Sequence, residues 1–205
     1  MHFYWYGKTF FKLEAKPKRK KVKILIDPYE PKEGPAPRSL KSDIVIKTQG
    51  DQETITLTGE PFEFSTPGEC EKDSVLIYSV QGSNPDSSMV RIDTEGISVG
   101  HMGMTDSELT ERQFNNLSGV DVLCIPIGAE NAYDVDSAMK TINKIEPRVI
   151  VPMAFQSEND PDAEPIDDFL KEMGEESIEP EEKTIIKDNN LPQEETEVKV
   201  LEKYK

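Results

Sequence analysis

The stretch that most limits what this chain can fold into lies between Val120 and Phe155. VDVLCIP (Val120–Pro126) and RVIVPMAF (Arg148–Phe155) are short apolar runs without polar alternation. A strand reads that way when both of its faces are covered. Between them Val135, Ala138, Met139, Ile142 and Ile145 recur at helical spacing, behind Asp134 as N-cap. Strand, amphipathic helix and strand in that order predict an α/β (α+β) fold, with sheets covered by helices.

The rest of the chain extends this frame. β-branched and aromatic residues predict strands at Phe3–Leu13, Val22–Asp27, Asp43–Thr48, Thr54–Phe64, Ser74–Gln81 and Met89–Gly100, the last broken by a hairpin turn at Asp93–Gly96. Thr105 to Glu108 fits a capping box, predicting a helix from Thr105 to about Leu117. A short helix is expected at Pro165–Met173, stopped by Gly174, and two short strands in Lys183–Glu202. No repeat or linker divides residues 1–205, so one domain is expected.

Charge narrows the function classes. The net charge is −16, and Gln156–Lys205 alone holds 17 acidic against 6 basic residues. Such a field repels nucleic acid. Lys16–Lys23 (KPKRKKVK) runs the other way, with six basic residues in eight. It could serve a polyanion binder, but it lacks interleaved aromatics and reads as a solvated hairpin tip. No apolar run reaches the roughly 18 residues of a membrane span, and MHFYWYGKTFFKLE has no signal-peptide pattern. A cytoplasmic protein is expected. Cys70 and Cys124 read as free buried thiols, and no Cys/His cluster marks structural zinc.

One loop carries the functional question. KTQGDQETI (Lys47–Ile55) follows the apolar DIVI and presents Gln49, Asp51, Gln52 and Glu53 around Gly50. In company with other stretches, it resembles the small metallo-β-lactamase-fold hydrolases. WYGKTFFKLE (Trp5–Glu14) resembles that family's WYGHSCFKI, ILIDP (Ile24–Pro28) its next strand, and PGECE (Pro67–Glu71) its PGEYE. SDIVIKTQGDQET (Ser42–Thr54) falls where the family has a strand and THxHxDH. SVGHMGMTDSELTERQ (Ser98–Gln113) resembles CHLGDLGHELTEEQ. VDVLCIPIG (Val120–Gly128) and PRVIVPMAF (Pro147–Phe155) resemble VDVLLIPVGG and PKIVIPMHY, and FLKEMG (Phe169–Gly174) and LPQEETEVKVLE (Leu191–Glu202) also have counterparts. The resemblance implies a four-layer αβ/βα sandwich with a dinuclear metal site at one edge, between the sheets.

Carried over residue by residue, the metal motif is replaced. Its histidines fall on Gln49, Asp51 and Thr54, and its aspartate on Glu53. The bridging aspartate corresponds to Met104, the histidine of PMHY to Ala154, and that of WYGHS to Lys8. His101 matches a family histidine that is not a usual ligand, and it reads as a partly buried imidazole with its hydrogen bonds satisfied. His2 reads as a strand-end residue. With two histidines in the chain, a nitrogen-rich dinuclear zinc site cannot be assembled.

The resemblance thus implies a non-catalytic homologue that binds a small molecule or a protein and needs no metal cofactor. The alternative is a metal-dependent phosphodiester or other ester hydrolase, with Mg²⁺ or Mn²⁺ held by Asp27, Asp51, Glu53, Glu69 and Glu71. The family includes homo-oligomers, and a degenerate member can pair with an active paralogue. No residue here marks either assembly.

Overall fold

The computed structural model describes residues 1–175 and 177–204. Strands β1 (His2–Trp5), β2 (Phe11–Ala15), β3 (Val22–Ile26), β4 (Ser39–Lys41), β5 (Ile44–Ile46), β6 (Thr56–Thr58) and β7 (Phe62–Phe64) come first. β8 (Gly68–Lys72), β9 (Val75–Gln81), β10 (Ser88–Thr94) and β11 (Ile97–His101) follow as a meander. The remainder alternates: α1 (Glu111–Leu117), β12 (Val122–Pro126), α2 (Val135–Ile145), β13 (Val149–Met153), α3 (Asp167–Glu172), β14 (Thr184–Ile185) and β15 (Glu197–Val198).

Two mixed sheets form the body. One runs β14-β1-β2-β3-β5-β7, the other β15-β13-β12-β11-β10-β9-β8. A single apolar cluster joins them, drawing Phe3, Phe11 and Ile24 from the first and Ile77, Val90 and Val99 from the second. Strand alternation sends Tyr4, Leu25 and Val45 to the other face of the first sheet. There they form a second cluster with Tyr6, Phe10 and Ile55. Leu40 and Leu57 of the parallel β4–β6 pair and Tyr204 pack on it. The αβ/βα sandwich is therefore present, with one outer layer reduced to a two-stranded ribbon; among the described residues every α-helix follows β11.

β1 is closed from far along the chain. His2 pairs with Ile185 across the β1–β14 ladder, and the Tyr204 N–H donates to the Trp5 carbonyl at 2.7 Å. The basic segment Lys16–Lys23 lies at the β2–β3 turn, where Lys20 pairs with Asp73 and Lys21 with Glu14. Among the described residues no helix is long and apolar enough to cross a membrane.

Local expectations hold at several points. Asp134 caps α2 by accepting from the Ser137 N–H at 2.8 Å. Thr94 pairs with Ile97 across a two-residue turn whose Glu95 and Gly96 both have positive φ. Phe3–Leu13 is not one strand but a hairpin turning at Gly7 and Lys8, with φ of 101° and 47°. The capping box sits five residues later than the sequence suggests. Thr110 caps α1 and exchanges bonds with Gln113, while the buried Thr105 hydroxyl pairs with Ser83 and accepts from the Ser107 N–H.

Candidate functional site

The carboxyl ends of β3, β5, β11 and β12, with the tip of the β1–β2 hairpin, converge on one cleft. This is where open α/β sheets place ligands. It holds a cavity of about 400 Å³ lined by Lys8, Asp27, Gln49 and Met104, among others. An adjoining hollow of about 420 Å³ shares Gln49, Gln52, Met104 and Asn131 with it. Four of the positions picked out from the sequence are thus brought together.

The floor is a closed hydrogen-bonded cluster. The Asp27 carboxylate accepts from the Thr48 N–H at 2.6 Å, the Thr48 hydroxyl at 2.5 Å and the Gln49 amide at 3.3 Å. That amide also donates to the Thr9 hydroxyl at 2.7 Å. His101 is fully buried, with Nε2 3.0 Å from the Thr9 carbonyl and Nδ1 3.2 Å from the Gly103 N–H. A carbonyl only accepts, so Nε2 carries the proton and Nδ1 receives the amide. Burial holds the His101 pKa below the ordinary histidine value, against the opposing pull of Asp27 and the Thr9 bond. The ring is neutral, and neither nitrogen offers a free lone pair.

The backbone around this floor is unusual. Lys8, Asp27 and Ala154 all have left-handed φ, of 47°, 50° and 59°. Such residues cost free energy and persist only where their surroundings enforce them. The Ala154 N–H donates to the Lys8 carbonyl at 3.1 Å, and the same carbonyl accepts from the Trp5 indole at 2.8 Å. Hydrogen bonds thus tie all three strained positions into the surrounding structure.

The remaining positions lie apart. Asp51 has a fully exposed side chain and reaches Lys47 at 3.5 Å; Glu53 is exposed, and Thr54 bridges Tyr29 outside the cavity. Gly50, at φ 74°, turns the loop so that Gln52 lines the cavity in place of its neighbours. Glu69 and Glu71 are exposed on edge strand β8. Among the described residues no three His, Cys, Asp or Glu side chains come together as metal ligands. The oxygen set Asp27, Asp51, Glu53, Glu69 and Glu71 is not assembled. Nor do an amide, a thioether and a methyl group, at Gln49, Met104 and Ala154, fit a dinuclear metal centre.

Sequence reasoning missed several residues that matter here. Tyr29 accepts from the Gln49 N–H at 3.0 Å and fixes the loop. Asn159 donates to the carbonyls of Glu33 at 2.6 Å and Pro35 at 3.2 Å, pinning the segment that walls the cavity. Neither has a local signal; both act across more than a dozen residues of chain.

Comparison with known proteins agrees with the architecture. Residues 2–154 match the β-lactamase superfamily domain. The chain belongs to that family. A curated relative, a metal-dependent hydrolase from Methanosarcina mazei, is 23% identical over 199 residues, covering 75% of this chain and 82% of its own. A crystal structure from Thermotoga maritima, assigned to the Zn-dependent hydrolases of the metallo-β-lactamase superfamily, superposes with a TM-score of 0.79. It is 24% identical, with 98% of this chain and 99% of the other covered. A metallo hydrolase from Ignicoccus hospitalis gives a TM-score of 0.66 at 17% identity, covering 100% and 96%. The fold is that of the metallo-β-lactamases.

Proposed function

We propose that this member is a non-catalytic binding protein that works without a metal. The observation that carries this reading is the closed floor. Asp27 is engaged by three donors and His101 by a donor and an acceptor. Recruiting either as a ligand would strip buried partners of bonds worth about 1–3 kcal/mol each. Met104 and Ala154 supply nothing that could take over. The cleft itself remains, as a preformed cavity for a small molecule or for a protein segment, since fold persists when chemistry does not. Free Cys70 and Cys124 support a reducing, cytoplasmic setting.

Elemental analysis after incubation with Zn²⁺, Mn²⁺ and Mg²⁺, with melting curves beside it, tests the reading. Substoichiometric metal and an unchanged melting temperature are expected, because a ligand of the native state would stabilise it. About two metals per chain would overturn the proposal and favour a rebuilt ester hydrolase. Homo-oligomerisation or pairing with an active paralogue is compatible with a binding role and is read separately, by light scattering.

A further inference from the structure

One wall of the cavity is a segment with very little holding it. Residues 31–38 (PKEGPAPR) run from β3 toward β4, and Pro31, Lys32 and Ala36 line the cavity. Among the described residues, none of these eight is buried and none enters an apolar cluster. Pro31, Pro35 and Pro37 have no N–H to donate. The hydrogen bonds that tie the segment to the rest of the chain are the two from the Asn159 amide, to the carbonyls of Glu33 at 2.6 Å and Pro35 at 3.2 Å. Its ends, by contrast, are firm. The Glu30 N–H donates to the Glu53 carbonyl at 3.0 Å, the Ile55 N–H donates to that of Pro28 at 3.0 Å, and Ser39 pairs with Thr56 in the β4–β6 ribbon.

Asn159 stands on a fixed post across the cavity. Ser157 and Asp160 exchange backbone bonds at 3.0 and 3.1 Å, and Lys8 holds Asp160 at 3.3 Å. Gly34, at φ 73°, sits so close to this turn that a Cβ there would collide with the Glu158 carbonyl oxygen. The segment therefore has one specific seat, and a glycine makes it possible. The seat is also finely balanced. Asn159 is only 4% exposed, and its Oδ1 is buried without a hydrogen-bond partner. Seating the segment gains two bonds and strands one acceptor, and these effects are of similar size and opposite sign.

We propose that residues 31–38 are a lid on the cleft, latched shut by the Asn159 amide and poised between closed and open. Lifting the lid returns the carbonyls of Glu33 and Pro35 to water and lets the Asn159 amide turn its Oδ1 outward. No apolar core is broken, because the segment contributes to none. A ligand touching Pro31, Lys32 or Ala36 gains those contacts only with the lid shut, so binding shifts the balance toward closure.

The test is native-state thiol labelling of the full chain carrying Cys70→Ser and Ala129→Cys, because Ala129 lines the same cavity from the loop after β12. The probe is a bulky aromatic disulfide reagent. Slow labelling is expected in this parent, at a rate flat across low urea, since lifting a short exposed segment uncovers little surface. Asn159→Ala removes the latch and Gly34→Ala spoils its seat, and each should raise the rate about fivefold or more. Lys32→Ala, on the lid but outside the latch, should leave it within about twofold. The buried Cys124 should stay unlabelled throughout. Unchanged rates in both latch variants, an equal rise in Lys32→Ala, or labelling that climbs with urea together with that of Cys124 would overturn the proposal. The lid and the metal-free reading stand or fall apart, because elemental analysis does not bear on the latch.

Discussion

Floor and rim of the cleft meet at the loop after β5 and obey different physics. At the floor, Asp27, Thr48 and His101 are almost wholly buried, and their polar side-chain atoms are partnered at 2.5–3.3 Å. At the rim, Asp51 and Glu53 stand in water, and the Asp51 pairing with Lys47 is long and exposed. Buried polar groups must be satisfied or they destabilise; exposed charges are nearly indifferent to their neighbours. The floor therefore fixes the shape of the cleft, and the rim is free to set its charge.

Substitutions should separate the two regions. Asp27→Ala strands the Thr48 N–H and hydroxyl and loosens Gln49, so a loss of about 3 kcal/mol is expected by urea denaturation. A loss below about 1 kcal/mol would erase the distinction. His101 gives a pH signature. Its folded pKa lies below the unfolded value of 6.5, so the unfolded state takes up the proton first. Stability is complete above pH 6.5 and falls as pH drops through 6.5 toward the folded pKa, by at most about 1.4 kcal/mol per unit. His101→Asn should flatten most of that slope between pH 6.5 and 5.5. His2→Asn, at a strand end where burial also lowers the pKa, should change it less.

Asn159 sits between the extremes. Asn159→Ala should cost about 1 kcal/mol, because the freed carbonyls of Glu33 and Pro35 can turn to water. Amide exchange should quicken in residues 33–36, and unchanged exchange there would remove Asn159 as the pin of that wall. The smallest effect belongs to Asp51→Ala, expected within about 0.5 kcal/mol of the parent in the same urea series.

What could be read from the residues follows the same division. Apolar runs and a helical stripe disclosed β12, α2 and β13, because burial on both faces and a 3.6-residue period leave a local mark. Thr105 and Thr110 both head a capping pattern, and local sequence does not say that Thr110 caps α1 while Thr105 bonds to Ser83. Asp51 and Glu53 were placed in the site by the resemblance to THxHxDH, but Gly50 turns the loop and both side chains are exposed. Asn159 reaches across 124 residues to Pro35, a contact with no trace in local sequence. Gln49, Asp27 and Met104 were picked out by the resemblance of the stretches that carry them, and the three line one cavity.

The closure of β1 by the far end of the chain bears on synthesis. As the nascent chain leaves the ribosome, β1, β2 and β3 can pair early, since only short turns separate them. The free edge of β1 then waits, unpaired, for Thr184–Ile185, and Trp5 for Tyr204. Throughout that interval an apolar, aromatic strand is available to any other unpaired edge nearby. The pace of translation up to Tyr204, and access to a chaperone during it, should therefore affect the yield of folded protein.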